Sequence, residues 1–215
     1  MSDNPTPAEF WEARYADADG LWSGRPNAVL VEVVADLPVG RALDLGCGEG
    51  GDSVWLAARG WAVTGVDLSP TAVRRAADAA RAAGVPDDRA EFIAADLATW
   101  RGNGAYDLVT ASFLHSPVEF PRTRVLRDAA DLVASGGHLL LIGHAAFPPW
   151  ATVPDRDAED HGDHRFLSPQ EEIDELALDP AAWDTVLAET RDRDAVGPDG
   201  TRAVLTDTIV LLRRN

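Results

Sequence analysis

Lysine is absent from this 215-residue chain: every one of the 19 basic residues is arginine, against 36 acids, so the formal charge is −17. A surface this acidic repels polyanions, which sets nucleic acid and anionic membrane surfaces aside as partners. No run of bases exceeds Arg74–Arg75 or Arg213–Arg214. Cysteine is nearly absent too. The lone Cys47 can form no internal disulfide and no multi-cysteine zinc site. It fits a reducing compartment, so a cytoplasmic protein is expected. No apolar stretch approaches the roughly 18 residues of a membrane span, and the polar opening from Met1 to Glu9, with two prolines, has no signal-peptide pattern. What is present is ordinary for a folded domain: 46% hydrophobic and 26% charged residues argue against global disorder.

From Arg41 onward short apolar runs alternate with helical patterns. Ala42–Leu45 reads as a strand that stops at the glycine-rich Gly46–Gly51, followed by a short helix over Asp52–Arg59. Ala62–Val66 is a second strand, and Ser69-Pro70 caps a helix that Gly84 ends. Ala90–Ala95 and Tyr106–Ser112 supply two more strands. A helix is expected over Arg122–Ala134, with Val125, Leu126, Ala129, Leu132 and Val133 as its apolar stripe. Ser135-Gly136-Gly137 stops it before a fifth strand over His138–Gly143. Residues 147–167 form a long loop, Ser168-Pro169-Gln170-Glu171 is a capping box, and Gly197-Pro198-Asp199-Gly200 joins the extended runs Trp183–Arg193 and Ala203–Arg213 into a hairpin. The expectation is an α/β fold: a Rossmann-like, doubly wound, mostly parallel seven-stranded sheet with a C-terminal antiparallel hairpin and helices on both faces. One domain over 1–215 is expected, divided into an amino-terminal helical lid (1–40), a core (41–145), a loop and helix over the substrate (146–182) and the terminal hairpin (183–215).

Leu43-Asp44-Leu45-Gly46-Cys47-Gly48-Glu49-Gly50-Gly51 carries the strongest chemical signal. A strand feeding a glycine turn and then a helix lets backbone approach a ligand closely. Gly46, Gly48 and Gly51 match G-x-G-x-x-G, the dinucleotide fingerprint, so a nicotinamide-dependent oxidoreductase is one reading. Asp44, two residues before the first glycine, tells against a pyrophosphate in that turn and favours an ammonium or sulfonium. Asp67 and Asp96 close the next two strands, so all three carboxylates point to the carboxyl edge of the sheet, where open α/β folds bind ligands.

These motifs resemble those of class I S-adenosylmethionine-dependent methyltransferases. Leu43–Gly50 is similar to that family's first motif, Val66-Asp67-Leu68-Ser69 to its second-strand motif and Ala94-Ala95-Asp96-Leu97 to its third. Tyr106-Asp107-Leu108-Val109 and Leu132–Leu140 resemble the fourth-strand motif and the approach to the fifth. The resemblance implies S-adenosylmethionine as cofactor and S-adenosylhomocysteine as product. It places the backbone of Gly46, Cys47 and Gly48 along the methionyl group and Asp44 near its ammonium. Asp67 would hold the ribose hydroxyls, Leu68 the adenine face, Asp96 and the Leu97 N–H the adenine edge, and Ser112 would sit beneath the sulfonium. The segment Phe10–Tyr15 through Leu21–Asn27 resembles the lead-in of the thiopurine and tellurite-resistance branch, with Trp11, Trp22 and Arg25 as candidates to close over the cofactor. That branch carries a His-Arg pair in the strand before its last turn. Here Glu189-Thr190-Arg191-Asp192-Arg193 has no histidine, which puts oxyanion chemistry in doubt and leaves Arg191 and Arg193 as candidates to face an anionic acceptor.

Methyl displacement from a sulfonium mostly needs orientation and exclusion of water, and a base only where the acceptor has a proton to lose. His115, past the fourth strand, and His144, at the end of the fifth, are the candidate catalytic residues. The acidic run Asp155–His164, with two histidines, fits no metal-ligand spacing and reads as a solvated lid. No Asn/Asp-Pro-Pro-aromatic motif follows the fourth strand, and Cys47 lacks the Pro-Cys context of cytosine methyltransferases. The acceptor expected is a small molecule. A non-catalytic sensor of the cofactor or its product is the alternative, since a displacement needing no base requires no obligatory catalytic side chain.

Overall fold

The computed structural model describes residues 5–150, 165–197 and 200–215. In chain order the elements are α1 (Pro7–Ala16), α2 (Ala28–Val34), β1 (Arg41–Leu45), α3 (Gly51–Ala58), β2 (Ala62–Asp67), α4 (Pro70–Ala82), β3 (Ala90–Ala94), β4 (Tyr106–Ser112), α5 (Arg122–Ala130), β5 (Val133–His144), α6 (Pro169–Leu176), β6 (Trp183–Val196) and β7 (Arg202–Arg214). The strands form one seven-stranded sheet in the order β3-β2-β1-β4-β5-β7-β6. Its first five members pair in parallel, and β7 pairs antiparallel with both β5 and β6. The order reverses between β1 and β4, and a crevice opens there at the carboxyl ends of the strands.

Strand alternation sorts the core into two layers. Ala42, Leu108, Leu140, Ile142 and Ile209 pack with Val29, Leu30 and Leu56 on the side of α2 and α3. Leu43, Leu45, Val109, Leu139, Leu141 and Val210 pack with Leu126 and Leu176 on the side of α5 and α6. Each fully buried leucine or isoleucine contributes about 1.5–3 kcal/mol through removal of apolar surface from water. Helix ends follow the sequence signals: the Ser69 hydroxyl accepts from the Ala72 N–H with Pro70 just inside, and Ser168 and Glu171 form the reciprocal capping box of α6.

One boundary differs. The helix expected to reach Ala134 ends at Ala130, and β5 begins at Val133 rather than His138. The Tyr106 N–H donates to Leu132 O at 2.8 Å, and Val133 pairs with Tyr106 across the ladder. Gly136, at φ +79°, lies in the irregular stretch of this strand instead of ending a helix. Val133 is still buried, so the apolar stripe is real but is completed from a strand. The hairpin strands likewise run longer than expected, with Gly197 N–H donating to Thr201 O to close the turn.

Candidate functional site

At the carboxyl edge of β1 the chain turns through Gly46, Gly48 and Gly50, all at positive φ (+72°, +52° and +86°). Only glycine enters this region freely, and space demands it as well. A Cβ on Gly46 would lie 2.7 Å from Leu114, and one on Gly50 2.8 Å from the Ala76 side chain. The turn is fastened to β2, because the N–H groups of Gly46 and Cys47 both donate to Val66 O. Cys47 Sγ points back towards Gly65, and burial pushes its thiol well up, so it is an inert packing group.

Beneath this turn lies a row of buried and half-buried carboxyls and hydroxyls. Asp44 is 2% exposed and accepts from Ser53 Oγ at 2.6 Å. Asp52, at the start of α3, accepts from the Asn27 N–H at 2.6 Å. Asp67 accepts from the N–H groups of Gly48 and Ser69, each at 2.9 Å. Burial raises all three carboxyls above their ordinary range, and Asp44 is pushed up to about 7 with the neighbouring Asp52 charge as the second cause. Thr110, paired with Asp44 across β1 and β4, and Ser112 have buried hydroxyls without a well-formed hydrogen bond, although Ser112 lies near enough to help stabilise the Asp52 charge. Among the described residues no arginine or histidine pairs with Asp44, Asp52 or Asp67. A cationic ligand with hydrogen-bonding hydroxyls fits this row: it relieves the repulsion between the acids and gives the stranded hydroxyls partners.

The amino-terminal segment closes on the turn. Tyr15 is buried, its hydroxyl accepts from Trp22 Nε1 at 3.0 Å, and a Cβ on Gly48 would meet both rings at 3.1–3.4 Å. Trp22 thus lies over the glycine turn, with its outer face in solvent. Trp11 is placed differently. Its Nε1 donates to Ser116 Oγ at 3.2 Å, so it bridges α1 to the loop after β4. Arg25 is exposed and contributes backbone, its carbonyl pressing on Gly51. Two acids outside the sequence-derived set fasten this lid. Glu12 accepts from the Ser69 and Thr71 hydroxyls at the start of α4, and Glu49 accepts from the N–H groups of Leu21 and Trp22 while pairing with Arg75 at 2.8 Å. Glu49 stands inside the first motif, which was its only visible signal.

Past β3, Asp96 is exposed and accepts from the Ala98 N–H at 2.8 Å, which leaves carboxylate lone pairs for a ligand. Leu68 is half-buried, and the Leu97 side chain belongs to the core, so only its backbone can meet a ligand.

The rest of the edge is built by a distortion. Phe113, just past β4, has φ +53°, a left-handed conformation that a bulky residue rarely adopts. The kink lays the Phe113 ring on His144 at 4.2 Å and turns His115 back over β5, where a Cβ on Gly143 would lie 3.2 Å from its Nε2. The imidazoles of His115 and His144 are near-parallel, 6.5 Å apart. Both line a cavity of about 150 Å³ with Ser116, Phe147, Arg165 and Phe166. A larger hollow of about 350 Å³ lies between Glu32 and Arg191, away from the glycine turn, and its other walls are apolar. Arg191 there is held by Glu32 and Glu189, which removes it as a partner for an anionic acceptor. Arg193 instead donates to the fully buried Asp207 at 2.5 Å, and Asp207 lies 3.4 Å from His144 Nδ1. The run Asp155–His164 lies outside the described residues.

Comparison with known proteins bears on the fold and the family. A family model described as a methyltransferase domain matches residues 42–137. Thiocyanate methyltransferase 1 of Brassica oleracea is 36% identical over 151 residues, covering 65% of this chain and 66% of that protein. Through the matched domain and the shared fold, the chain is similar to the class I S-adenosylmethionine-dependent methyltransferases. The methyl donor of this family is S-adenosylmethionine, and S-adenosylhomocysteine is its product. A solved structure from work on conversion of a disulfide bond into a thioacetal group during echinomycin biosynthesis has a TM-score of 0.71 at 26% identity, covering 97% of this chain and 93% of that one. The N-methyltransferase NodS of Bradyrhizobium japonicum WM9, solved with S-adenosylhomocysteine, shares the fold with a TM-score of 0.66 at 16% identity, covering 98% and 99% of the two chains. Among the curated relatives the matched segment spans between 33% and 66% of the relative's own length.

Proposed function

We propose that this methyltransferase transfers a methyl group from S-adenosylmethionine to a small-molecule acceptor held beside His115 and His144. The observation that carries the proposal is the row of buried Asp44 and Asp67 with half-buried Asp52, without an ion-pair partner among the described residues, beneath a glycine turn over which Trp22 and Tyr15 are closed. When bound, the donor supplies an activated methyl group on a positively charged sulfur. The chain's residues then have separate tasks. Asp44 faces the ammonium, Asp67 accepts from the ribose hydroxyls, and Leu68, Asp96 and the Leu97 N–H frame the adenine. Ser112 lies under the sulfur. Residues 1–40 act as the lid over the cofactor, and 146–182 as the cover of the acceptor.

The imidazole-lined cavity favours an enzyme over a sensor of the cofactor, because a sensor has no use for two titratable rings facing a second ligand space. Relatives named for thiocyanate, thiol and ubiquinone-biosynthesis methyl transfer support a small acceptor. The net charge of −17 speaks against nucleic acid, and the single thiol supports a cytoplasmic setting. No helix among the described residues is long and apolar enough to cross a membrane. Incubation with methyl-tritiated S-adenosylmethionine and a panel of thiols, phenols, amines and thiocyanate tests the reading. Label is expected in at least one small acceptor. Tight donor binding without label in any acceptor class, including a cell extract freed of macromolecules, supports the sensor instead.

A further inference from the structure

Asp207 is a costly residue to bury. It lies in the middle of the C-terminal strand β7, it is fully inaccessible, and only its Oδ2 is satisfied, by Arg193 Nε at 2.5 Å. Its other oxygen, Oδ1, faces His144 Nδ1 at 3.4 Å, and neither of those two atoms has another hydrogen-bond partner among the described residues. Leaving a buried carboxylate half-satisfied is destabilising, so the pair needs an explanation. Sheet register makes the arrangement permanent: His144 and Asp207 are direct partners across β5 and β7, and Arg193 stands diagonally opposite on β6. The other charged or titratable groups around the His144 ring are His115, 6.5 Å away, and Arg165 across the cavity. Phe113 fixes the ring plane between them, with the Arg193 guanidinium 5.5 Å from the Phe113 ring centre.

We infer that Arg193 and Asp207 are positioning residues that hold His144 in one tautomer, with Nδ1–H towards Asp207 and the Nε2 lone pair towards the acceptor, so that the acceptor is one with a proton to lose. This rests on the methyltransferase function proposed above and narrows the acceptor to hydroxyl and thiol compounds. In the transfer step the acceptor lone pair closes on the methyl carbon as the carbon–sulfur pair stays on sulfur. The acceptor X–H bond breaks, and its proton passes to Nε2. His144 leaves the step as an imidazolium beside the Asp207 carboxylate, so one positive charge is lost at sulfur and one appears on the ring. Acceptors without such a proton, such as thiocyanate or iodide, draw nothing from this relay.

The test follows the tautomer and the reaction separately. In ¹⁵N-resolved imidazole spectra of the full chain with S-adenosylhomocysteine above neutral pH, His144 (assigned by loss of its signals in His144→Gln) is expected with Nδ1 protonated and Nε2 bare. In Asp207→Asn the amide oxygen must face the Arg193 donor, so the amide NH₂ meets Nδ1 and the proton is expected on Nε2. Binding of S-adenosylhomocysteine should change less than about threefold in that variant, which also reports that it folds; Arg193→Gln, expected to mix the tautomers, replaces it if it does not. Methyl transfer to 4-methylphenol or 2-mercaptoethanol, which keep their protons at neutral pH, where seen, should fall about 10²–10⁴-fold in kcat in His144→Gln, the size of a lost general base. Asp207→Asn should fall comparably with little change in KM, and thiocyanate turnover should be spared in both. An Nε2–H tautomer in the unaltered protein, or an unchanged tautomer in Asp207→Asn, overturns the inference even if no probe is methylated. So does full turnover of a phenol or thiol by His144→Gln. Loss of S-adenosylhomocysteine binding in the unaltered protein strikes the methyltransferase reading instead.

Discussion

The two halves of the carboxyl edge are assembled in opposite ways. Over β1, β2 and β3 each ligand-facing group lies inside a short contiguous motif: Asp44 with the glycine turn, Asp67 with Ser69, Asp96 with Ala98. Over β4, β5, β7 and β6 the groups come from four distant places, Phe113, His144, Asp207 and Arg193, and meet only through strand register. In the function proposed above, the first half needs a fixed backbone because it would hold the cofactor. The second would then be a scaffold on which single side chains choose the acceptor, so its residues are free of local pattern.

If this division is right, substitutions in one half should leave the other half's property intact. The largest effect is expected at the turn. Gly48→Val, which puts a branched side chain at positive φ against Tyr15 and Trp22, should lower S-adenosylmethionine affinity at least about 100-fold by calorimetry, since strain there of about 1–2 kcal/mol adds to displacement of the lid. Next comes Asp44→Asn. The folded carboxyl is pushed up to about 7, so the free protein holds a proton that the unfolded chain has already lost. Its stability therefore falls as pH rises from the ordinary carboxylate range towards 7, by no more than about 4 kcal/mol. Denaturant melts should show that slope in the free protein and a flatter one in Asp44→Asn. Binding of a cation at pH 6–7 should release protons, seen as a buffer-dependent heat, and the Asp44→Asn substitution should reduce both that release and affinity, the latter about tenfold.

Smaller again is Trp22→Ala, expected to weaken S-adenosylmethionine by about 0.5–2 kcal/mol and S-adenosylhomocysteine by less, because only the former carries the cation that favours an aromatic face. The smallest is Glu49→Gln, which loosens the lid by about 1 kcal/mol, seen as faster proteolysis ahead of Gly24 with the fold intact. A change of acceptor preference in any of these four variants would break the division between the halves.

The same contrast explains what could be read from the sequence. The parallel strands, the terminal hairpin and the glycine turn were legible because alternation, caps and turn residues are local signals. Misplacement of the helix end at Ala134 arose because Leu132 and Val133 keep helical spacing with Leu126 and Ala129, while cross-strand pairing to Tyr106 claims Val133. In the candidate site, Asp44, Asp67 and the histidines were singled out by position at strand ends, and the structure places them along the carboxyl edge. Asp207 was not, because one acid in a run of valines and leucines looks like a surface residue until its partners across the sheet are known. Trp11 was singled out by its place in the amino-terminal segment, and its bond to Ser116 in the loop after β4 could not be read from that segment alone.

The most direct test of the central claim is a calorimetric titration with S-adenosylmethionine, S-adenosylhomocysteine and NADH, repeated on Asp67→Ala. One equivalent of either adenosyl compound should bind, NADH should not, and loss of the Asp67 carboxylate should weaken adenosyl binding by about 1–3 kcal/mol. Binding of NADH in preference to both, or adenosyl affinity indifferent to Asp67, would contradict the assignment of this edge to the sulfonium cofactor.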